Sequence, residues 1–186
     1  MATVRPEWPV TELSRETRER AIPILRESFE GIYRWHAKRT LLRVPIARMV
    51  EVEGAVAGVS LLEWLDPTVA YVYYLFVGRA FRNRGIGGRL LDDALDRFRN
   101  GGAEVVFAAH EDENVASRRL FLARGFREVD RSEPPVQEGG LGARGYRSRM
   151  MVVAGESLLG LRLARAGGAD SLTGPTPGST GRGQDP

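Results

Sequence analysis

Apolar and polar positions recur along this chain with two periods, and each change of period marks an element. From Ser14, a residue able to cap a helix, Ile22, Leu25, Phe29, Ile32 or Tyr33, and His36 follow at three- and four-residue steps, which predicts a helix with one buried face. Pro23 interrupts the pattern and Gly31 weakens it, so a kink or two helices are expected, roughly Arg15 to Ile22 and Pro23 to Thr40. Ile46 to Val52, Ala55 to Leu65 and Val69 to Val77 read as three consecutive antiparallel strands, joined at Glu53-Gly54 and Asp66-Pro67-Thr68. The helical period returns with Leu90, Leu91, Ala94, Leu95 and Phe98 on one face, and Asn100-Gly101-Gly102 ends that helix. Ala103 to Ala109 is an almost unbroken apolar run, the signature of a strand covered on both faces. Asn114 is placed to cap a helix over Val115 to Arg124, with Gly125 to stop it.

The ends are less patterned. Thr3 to Arg5 allows a short first strand, and Phe126 to Asp130 and Tyr146 to Val153 suggest the last two. Glu156 to Arg165 reads as a short leucine-rich helix, and Gly167 to Pro186 has the composition of a disordered tail. The expected organisation is one domain over 1–153 and an extension over 154–186.

With 186 residues, 42% apolar and 27% charged, the chain has the composition of one well-cored globular domain. The absence of cysteine removes disulfides, thiolate-bound zinc and a cysteine nucleophile. No signal-peptide core or membrane-length apolar run is visible, so a cytoplasmic protein without a membrane partner is expected. Net charge is only +3, yet Arg79, Arg82, Arg84 and Arg89 cluster in a segment that contains no acid. Such a local positive field suits a small polyanion better than a nucleic-acid duplex, and no nucleic-acid partner is expected.

That cluster lies between a strand and a helix and also contains Gly85, Gly87 and Gly88. Glycines allow backbone N–H groups to approach a ligand closely, and the N–H groups of a helix's first turn have no intrahelical acceptor. Phosphate oxygens fit such a place. A P-loop would need lysine and then Ser or Thr after its last glycine, whereas Arg89 and Leu90 follow Gly88. A dinucleotide fingerprint would need glycine where Leu90 stands, and antiparallel strands precede the loop.

Arg82, Gly85 and Gly87, spaced Arg-x-x-Gly-x-Gly between a strand and a leucine-rich helix, resemble the acyl-CoA-binding motif of the GNAT superfamily of N-acetyltransferases. A second block, Asn114 to Phe126 with Phe121 and Gly125-Phe126, is similar to the family's helix-plus-strand segment and follows at the usual separation. The resemblance covers about Val4 to Val153. It implies an α/β (α+β) domain with a seven-stranded, mixed but mostly antiparallel sheet whose fourth strand, Val69 to Val77, splays from the fifth, Ala103 to Ala109. Acetyl-CoA would then lie in the notch, its pantetheine along Leu75, Phe76 and Val77. Its pyrophosphate would lie on Arg82, Asn83, Arg84, Gly85, Ile86, Gly87, Gly88 and Arg89, and Asn114, Ser117, Leu120 and Phe121 would stand beside the arm. A backbone N–H near Val77 would serve as oxyanion donor.

By the same resemblance the reaction is acetyl transfer to a primary amine, of a small molecule or a protein, by direct attack. No metal is implied, and a monomer or homodimer is expected. The pattern breaks at Phe121, where many members have a tyrosine that protonates the leaving thiolate. A thiol of pKa about 8.5 is a fair leaving group even so, and Ser117 could hold a water for it. Tyr33, Tyr71, Tyr73 and Tyr74 are alternative proton donors. Val69 to Val77 holds no carboxylate, which leaves His110 as the best-placed base, with Glu63 weaker; His110 may equally be a polar strand end. Phe29, Tyr33, Tyr71 and Tyr73 are the candidate acceptor contacts, Trp35 and His36 share their helix, and the same aromatics are equally suited to a core. Strict alternation would send Tyr71 and Tyr73 to one side of the sheet and Val72 and Tyr74 to the other. The broken pattern also admits a non-catalytic acyl-CoA-binding module.

Overall fold

The computed structural model describes residues 8–129 and 156–163. In chain order the elements are β1 (Val10–Glu12), a 3-10 segment (Arg15–Ala21), α1 (Ile22–Ser28), α2 (Gly31–Arg43), β2 (Ile46–Val52), β3 (Ala55–Asp66), β4 (Val69–Val77), α3 (Ile86–Asn100), β5 (Val105–Glu111), α4 (Val115–Leu122), β6 (Arg127–Glu128) and β7 (Glu156–Arg162). The seven strands form one sheet in the order β1-β2-β3-β4-β5-β7-β6. All neighbours are antiparallel except β4 and β5.

The expected break in the first helix occurs where proline predicts it. Pro23 sits in the first turn of α1, where its missing N–H has no intrahelical acceptor to lose. A second break falls at Phe29 and Glu30, both extended, and Gly31 opens α2 with φ +51°. The Glu53-Gly54 turn has both residues at positive φ, +51° and +80°, the geometry that matches the twist of a two-residue hairpin.

Helices cover both faces of the sheet. Ile24 and Leu25 of α1 and Ala37 and Leu41 of α2 pack with Val59, Leu61 and Phe76 on one face. Leu91, Ala94, Leu95 and Phe98 of α3, with Phe121 of α4, pack with Val72, Val106, Ala108 and Leu159 on the other.

Two expectations about the ends change. The first strand is Val10–Glu12, paired with β2, while Thr3 to Arg5 lies outside the described residues, as do Tyr146 to Val153 and the tail over 167–186. Glu156–Arg162, expected to be helical, is a strand in register with β5 over its whole length, so the sheet continues beyond Val153. The apolar pattern explains it: Leu158 enters the cluster of Tyr71 and Phe107 while its neighbour Leu159 enters that of Phe121 and Phe126, on the opposite face. Gly160 disfavours a helix interior and lets two side chains close in, since a Cβ there would stand 2.8 Å from Val129 Cγ2 and 3.4 Å from Phe107 Cε1.

Candidate active site

The arginine- and glycine-rich loop forms one wall of the site. Arg79–Phe81 is a single 3-10 turn, Asn83 takes φ +61° and Gly85 φ +86°, and α3 begins at Ile86. The first intrahelical bond is donated by the Arg89 N–H to the Gly85 carbonyl at 3.0 Å. The N–H groups of Ile86, Gly87 and Gly88 therefore lead the helix without intrahelical acceptors, at the positive end of its dipole.

Side chains hold this backbone in place. Trp8 Nε1 donates to the Arg84 carbonyl at 2.9 Å, Arg89 Nε donates to the Trp8 carbonyl at 3.3 Å, and Arg82 Nε donates to the Val77 carbonyl at 3.2 Å. The Arg84 guanidinium lies 5.7 Å from the centre of the Phe81 ring. A further cation stands above the first turn. Arg124 is held by both oxygens of Asp92, at 2.6 and 3.1 Å, and its Nη2 is 2.7 Å from where a Cβ at Gly88 would be.

The second wall is made by a parting of strands. β4 and β5 pair only from Val69↔Val105 to Val72↔Ala108. At the next residue β4 bulges: Leu62 faces Val72 and Leu61 faces Tyr74, so that Tyr73 is the extra residue of the bulge. A bulge bends its strand, and among the described residues the ladder between β4 and β5 ends at Val72↔Ala108. The bulge also overturns strict alternation. Tyr71, Tyr73, Tyr74 and Phe76 all join clusters on the α1–α2 face, whereas Val72, Leu75 and Val77 pack toward α3 and α4.

Where the strands part, a cavity of about 440 Å³ opens. It is lined by Phe29, Ile32, Tyr33, Trp35, His36, Tyr71, Val72, Tyr73, Tyr74, Leu75, Ala109, His110, Glu111, Asn114, Ser117, Phe121 and Glu156. The aromatic side is tightly coupled: Phe29 meets Tyr74 edge-on at 5.1 Å, Tyr71 meets Tyr73 at 5.0 Å, and His36 Nδ1 lies 2.7 Å from the Tyr74 hydroxyl.

His110 is 5% exposed, and its Nδ1 lies 2.7 Å from the Glu111 carbonyl oxygen. A carbonyl only accepts, so Nδ1 carries a proton, and in the neutral ring Nε2 would carry the lone pair. Nε2 is buried and meets no hydrogen-bond partner among the described residues.

Burial and charge also perturb the phenols around the cavity. Burial, then the charges of Tyr73, Glu156 and Tyr74, push the Tyr71 hydroxyl far above its ordinary range. Burial and then Glu156 push Tyr74 up as well, and burial followed by the charge and hydrogen bond of Glu156 does the same to Tyr33. The raised values keep these phenols protonated at neutral pH.

Of the residues expected at the site, Phe29, Tyr33, Tyr71, Tyr73, Leu75, His110, Asn114, Ser117 and Phe121 are brought together around the cavity. Asn114 has a second task, since its Oδ1 accepts the Ser117 N–H at 3.0 Å and caps α4. Leu120 faces the loop, its Cδ2 3.7 Å from the position of a Cβ on Gly87. The Phe76 ring packs against Phe29 at 5.5 Å and Val77 against the Ile86 cluster, so both can offer the notch only backbone. Arg82 to Arg89 form the adjoining loop and first turn rather than the cavity lining.

Sequence reasoning missed Glu156, which reaches the cavity because β7 pairs it with Glu111. It also missed Arg124, whose guanidinium lies over Gly88.

The chain is similar to known acetyltransferases. An acetyltransferase of Salmonella typhimurium described as acting on L-methionine sulfoximine and L-methionine sulfone is 34% identical over 98 residues, 50% of this chain and 56% of that protein. The chain thus spans about half the length of that curated relative. In fold, it resembles the ribosomal-protein-S18-alanine N-acetyltransferase of Escherichia coli, with a TM-score of 0.64 at 16% identity over 87% of this chain and 97% of that one. A Bacillus subtilis acetyltransferase solved with CoA aligns with a TM-score of 0.63 at 17% identity over 85% of this chain and 100% of that one. Residues 7–126 match the Acetyltransferase (GNAT) family, and with its parted fourth and fifth strands and its glycine-led third helix the chain belongs to that family.

Proposed function

We propose that this acyltransferase moves an acetyl group from acetyl-CoA to a primary amine by direct attack, with His110 handling the proton. The observation that carries the reading is His110 in the lining of a cavity opened by strand parting, its Nε2 buried and meeting no hydrogen-bond partner among the described residues.

The donor site fits its ligand on three counts. The N–H groups of Ile86, Gly87 and Gly88 and the side chains of Arg82, Arg84 and Arg89 suit a pyrophosphate. The backbone of β4 from Leu75 to Val77, free of β5, suits the amides of the pantetheine arm. Asn114, Ser117, Leu120 and Phe121 stand along the opposite side. Bound there, acetyl-CoA supplies an activated thioester.

The chain's own groups do the rest. As the amine's N–C bond forms, His110 Nε2 takes the proton leaving nitrogen and delivers it to sulfur as the C–S bond breaks. One imidazole then serves both proton steps, which removes the need for a phenol at Phe121. A backbone N–H of the unpaired stretch of β4 stabilises the charge that gathers on the carbonyl oxygen. Ser117 holds water at the mouth of the donor side.

Thiol release measured with acetyl-CoA and a panel of amines tests this. Turnover should require an amine, and His110→Gln should lower kcat by about 100-fold or more while CoA affinity stays unchanged. Tight CoA binding with no turnover on any amine refutes transfer; less than a threefold loss in His110→Gln removes His110 from the chemistry. An amino-acid acceptor, as the name of the Salmonella relative suggests, would call for a cation to receive its carboxylate.

A further inference from the structure

We infer that Trp8 is a positioning residue of the donor site: its grip on the Arg84 carbonyl turns the Gly85 N–H into the row of donors that meets the pyrophosphate of CoA. This rests on the donor reading above and adds a residue that lies ahead of β1, far from the loop in sequence.

The first observation is the direction of one peptide group. Trp8 Nε1 donates to the Arg84 carbonyl at 2.9 Å, across 76 residues of chain. The described chain has no cis peptide bond, and in a planar trans peptide the C=O and the following N–H point opposite ways. With the Arg84 oxygen fixed on the indole, the Gly85 N–H is aimed away from it. Gly85 holds the N-cap place of α3, whose first bond runs from the Arg89 N–H to the Gly85 carbonyl. The Gly85 N–H therefore heads the row continued by Ile86, Gly87 and Gly88. Asn83 and Gly85 are left-handed, at φ +61° and +86°, and Arg84 between them is not. Such alternation curls successive N–H groups onto one concave side, a nest for an anion.

The second observation is that this backbone needs an outside hold. Asn83 is one of two non-glycine residues at positive φ among the described residues, and a residue stays in that region only when its surroundings fix it there. Trp8 supplies the hold at two points. While its indole grips Arg84, its carbonyl accepts from Arg89 Nε at 3.3 Å. One residue thus clasps both the loop and the first turn of α3. The bond at Nε also sets the direction of the Arg89 guanidinium, whose Nη groups extend past it.

The third is that Trp8 is itself anchored. Its side chain packs against Val50, Ala57, Ile86 and Leu90, which ties it to β2, β3 and the head of α3. Two residues on, Val10 pairs with Val50, and its carbonyl accepts from Arg48 Nη2 at 2.9 Å. Arg48 is held in turn by both oxygens of Asp93 on α3, at 3.0 and 3.1 Å. A donor on so firm a base does not follow the loop as it moves; it draws the loop to one place.

Trp8→Phe keeps a ring in position and removes the N–H donor. Titrated calorimetrically with CoA, this variant should bind about 2- to 10-fold more weakly than the wild type, the worth of one hydrogen bond, with its stoichiometry retained. A merely structural role would lower the fraction of protein that binds and leave the affinity of that fraction as it was. The chain holds three tryptophans, and the indole N–H resonance that disappears in Trp8→Phe belongs to Trp8. In the wild type, CoA should slow the exchange of that proton with water several-fold, because a ligand that selects the ordered loop also selects this bond. An affinity within twofold of wild type, a loss of stoichiometry alone, or an indole exchange rate indifferent to CoA overturns the inference. Wild-type protein that binds no CoA overturns the donor reading along with it, so a wild type that binds marks the failure of the inference alone.

Discussion

Gly85 and Gly54 provide a matched pair for testing what the loop does. Gly85 has φ +86° and Gly54 φ +80°, and a Cβ added at either meets no atom within 4 Å. The cost of alanine is therefore purely one of backbone conformation, about 1–2 kcal/mol at each site. The unfolded chain loses the same freedom in both variants, so that contribution cancels in the comparison. Gly54 is clamped by the ladder pair Val52↔Ala55, and its strain has to appear in folding. Gly85 is held through side chains at Arg84 and through the head of α3, and its loop can relax in the free protein. In that case the strain appears on CoA binding, which needs the Ile86–Gly88 N–H groups in place. Gly54→Ala should lower Tm by roughly 2–8 °C and leave CoA affinity unchanged. Gly85→Ala should lower Tm less and weaken CoA about 5- to 30-fold, the same free energy moved to the binding step. Gly85→Asn should recover part of the loss, because asparagine tolerates the left-handed region. Thermal unfolding and calorimetric CoA titration of the three variants decide it. Wild-type CoA affinity in Gly85→Ala, or an equal loss in Gly54→Ala, refutes the role given to the loop.

Two further outcomes follow from packing and protonation. A Cβ at Gly58 would stand 2.8 Å from Ile86 Cγ2 and 3.0 Å from Leu90 Cδ1, so Gly58→Ala should cost about 1–3 kcal/mol and weaken CoA by shifting the head of α3; an unchanged melting temperature shows that the contact yields. Burial, then the charge of Arg39, lowers the His36 pKa below its ordinary 6.5, with Glu156 opposing. The unfolded chain thus takes up this proton at higher pH than the folded protein, and stability is lost as pH falls through and below about 6.5. Relative to His36→Gln, wild-type stability should be flat above about pH 7 and decline below about pH 6.5; parallel curves contradict the assignment.

Most of the sheet was legible because its strands carry unambiguous signals. Ile46–Val52 and Val69–Val77 begin and end where the apolar runs do, and Glu53-Gly54 turns as such a pair should. The turn into α3 was legible because its signal is local, arginines and glycines within one stretch between strand and helix. The aromatic side of the cavity was not. Its geometry depends on the bulge at Tyr73, and no glycine or proline in Tyr71 to Val77 announces a bulge; only the register with β3 does. Glu156 was hidden for a related reason, since a run of leucines satisfies both periods until a partner strand selects one.

The parted strands have one more consequence. The glycine loop packs toward α3 and the tyrosines toward α1 and α2, on different faces of the sheet. With the donor held at the loop, as proposed above, and the acceptor among the tyrosines, its candidate contacts, an inhibitor lodged among the tyrosines would compete with the acceptor and leave the nucleotide's place open.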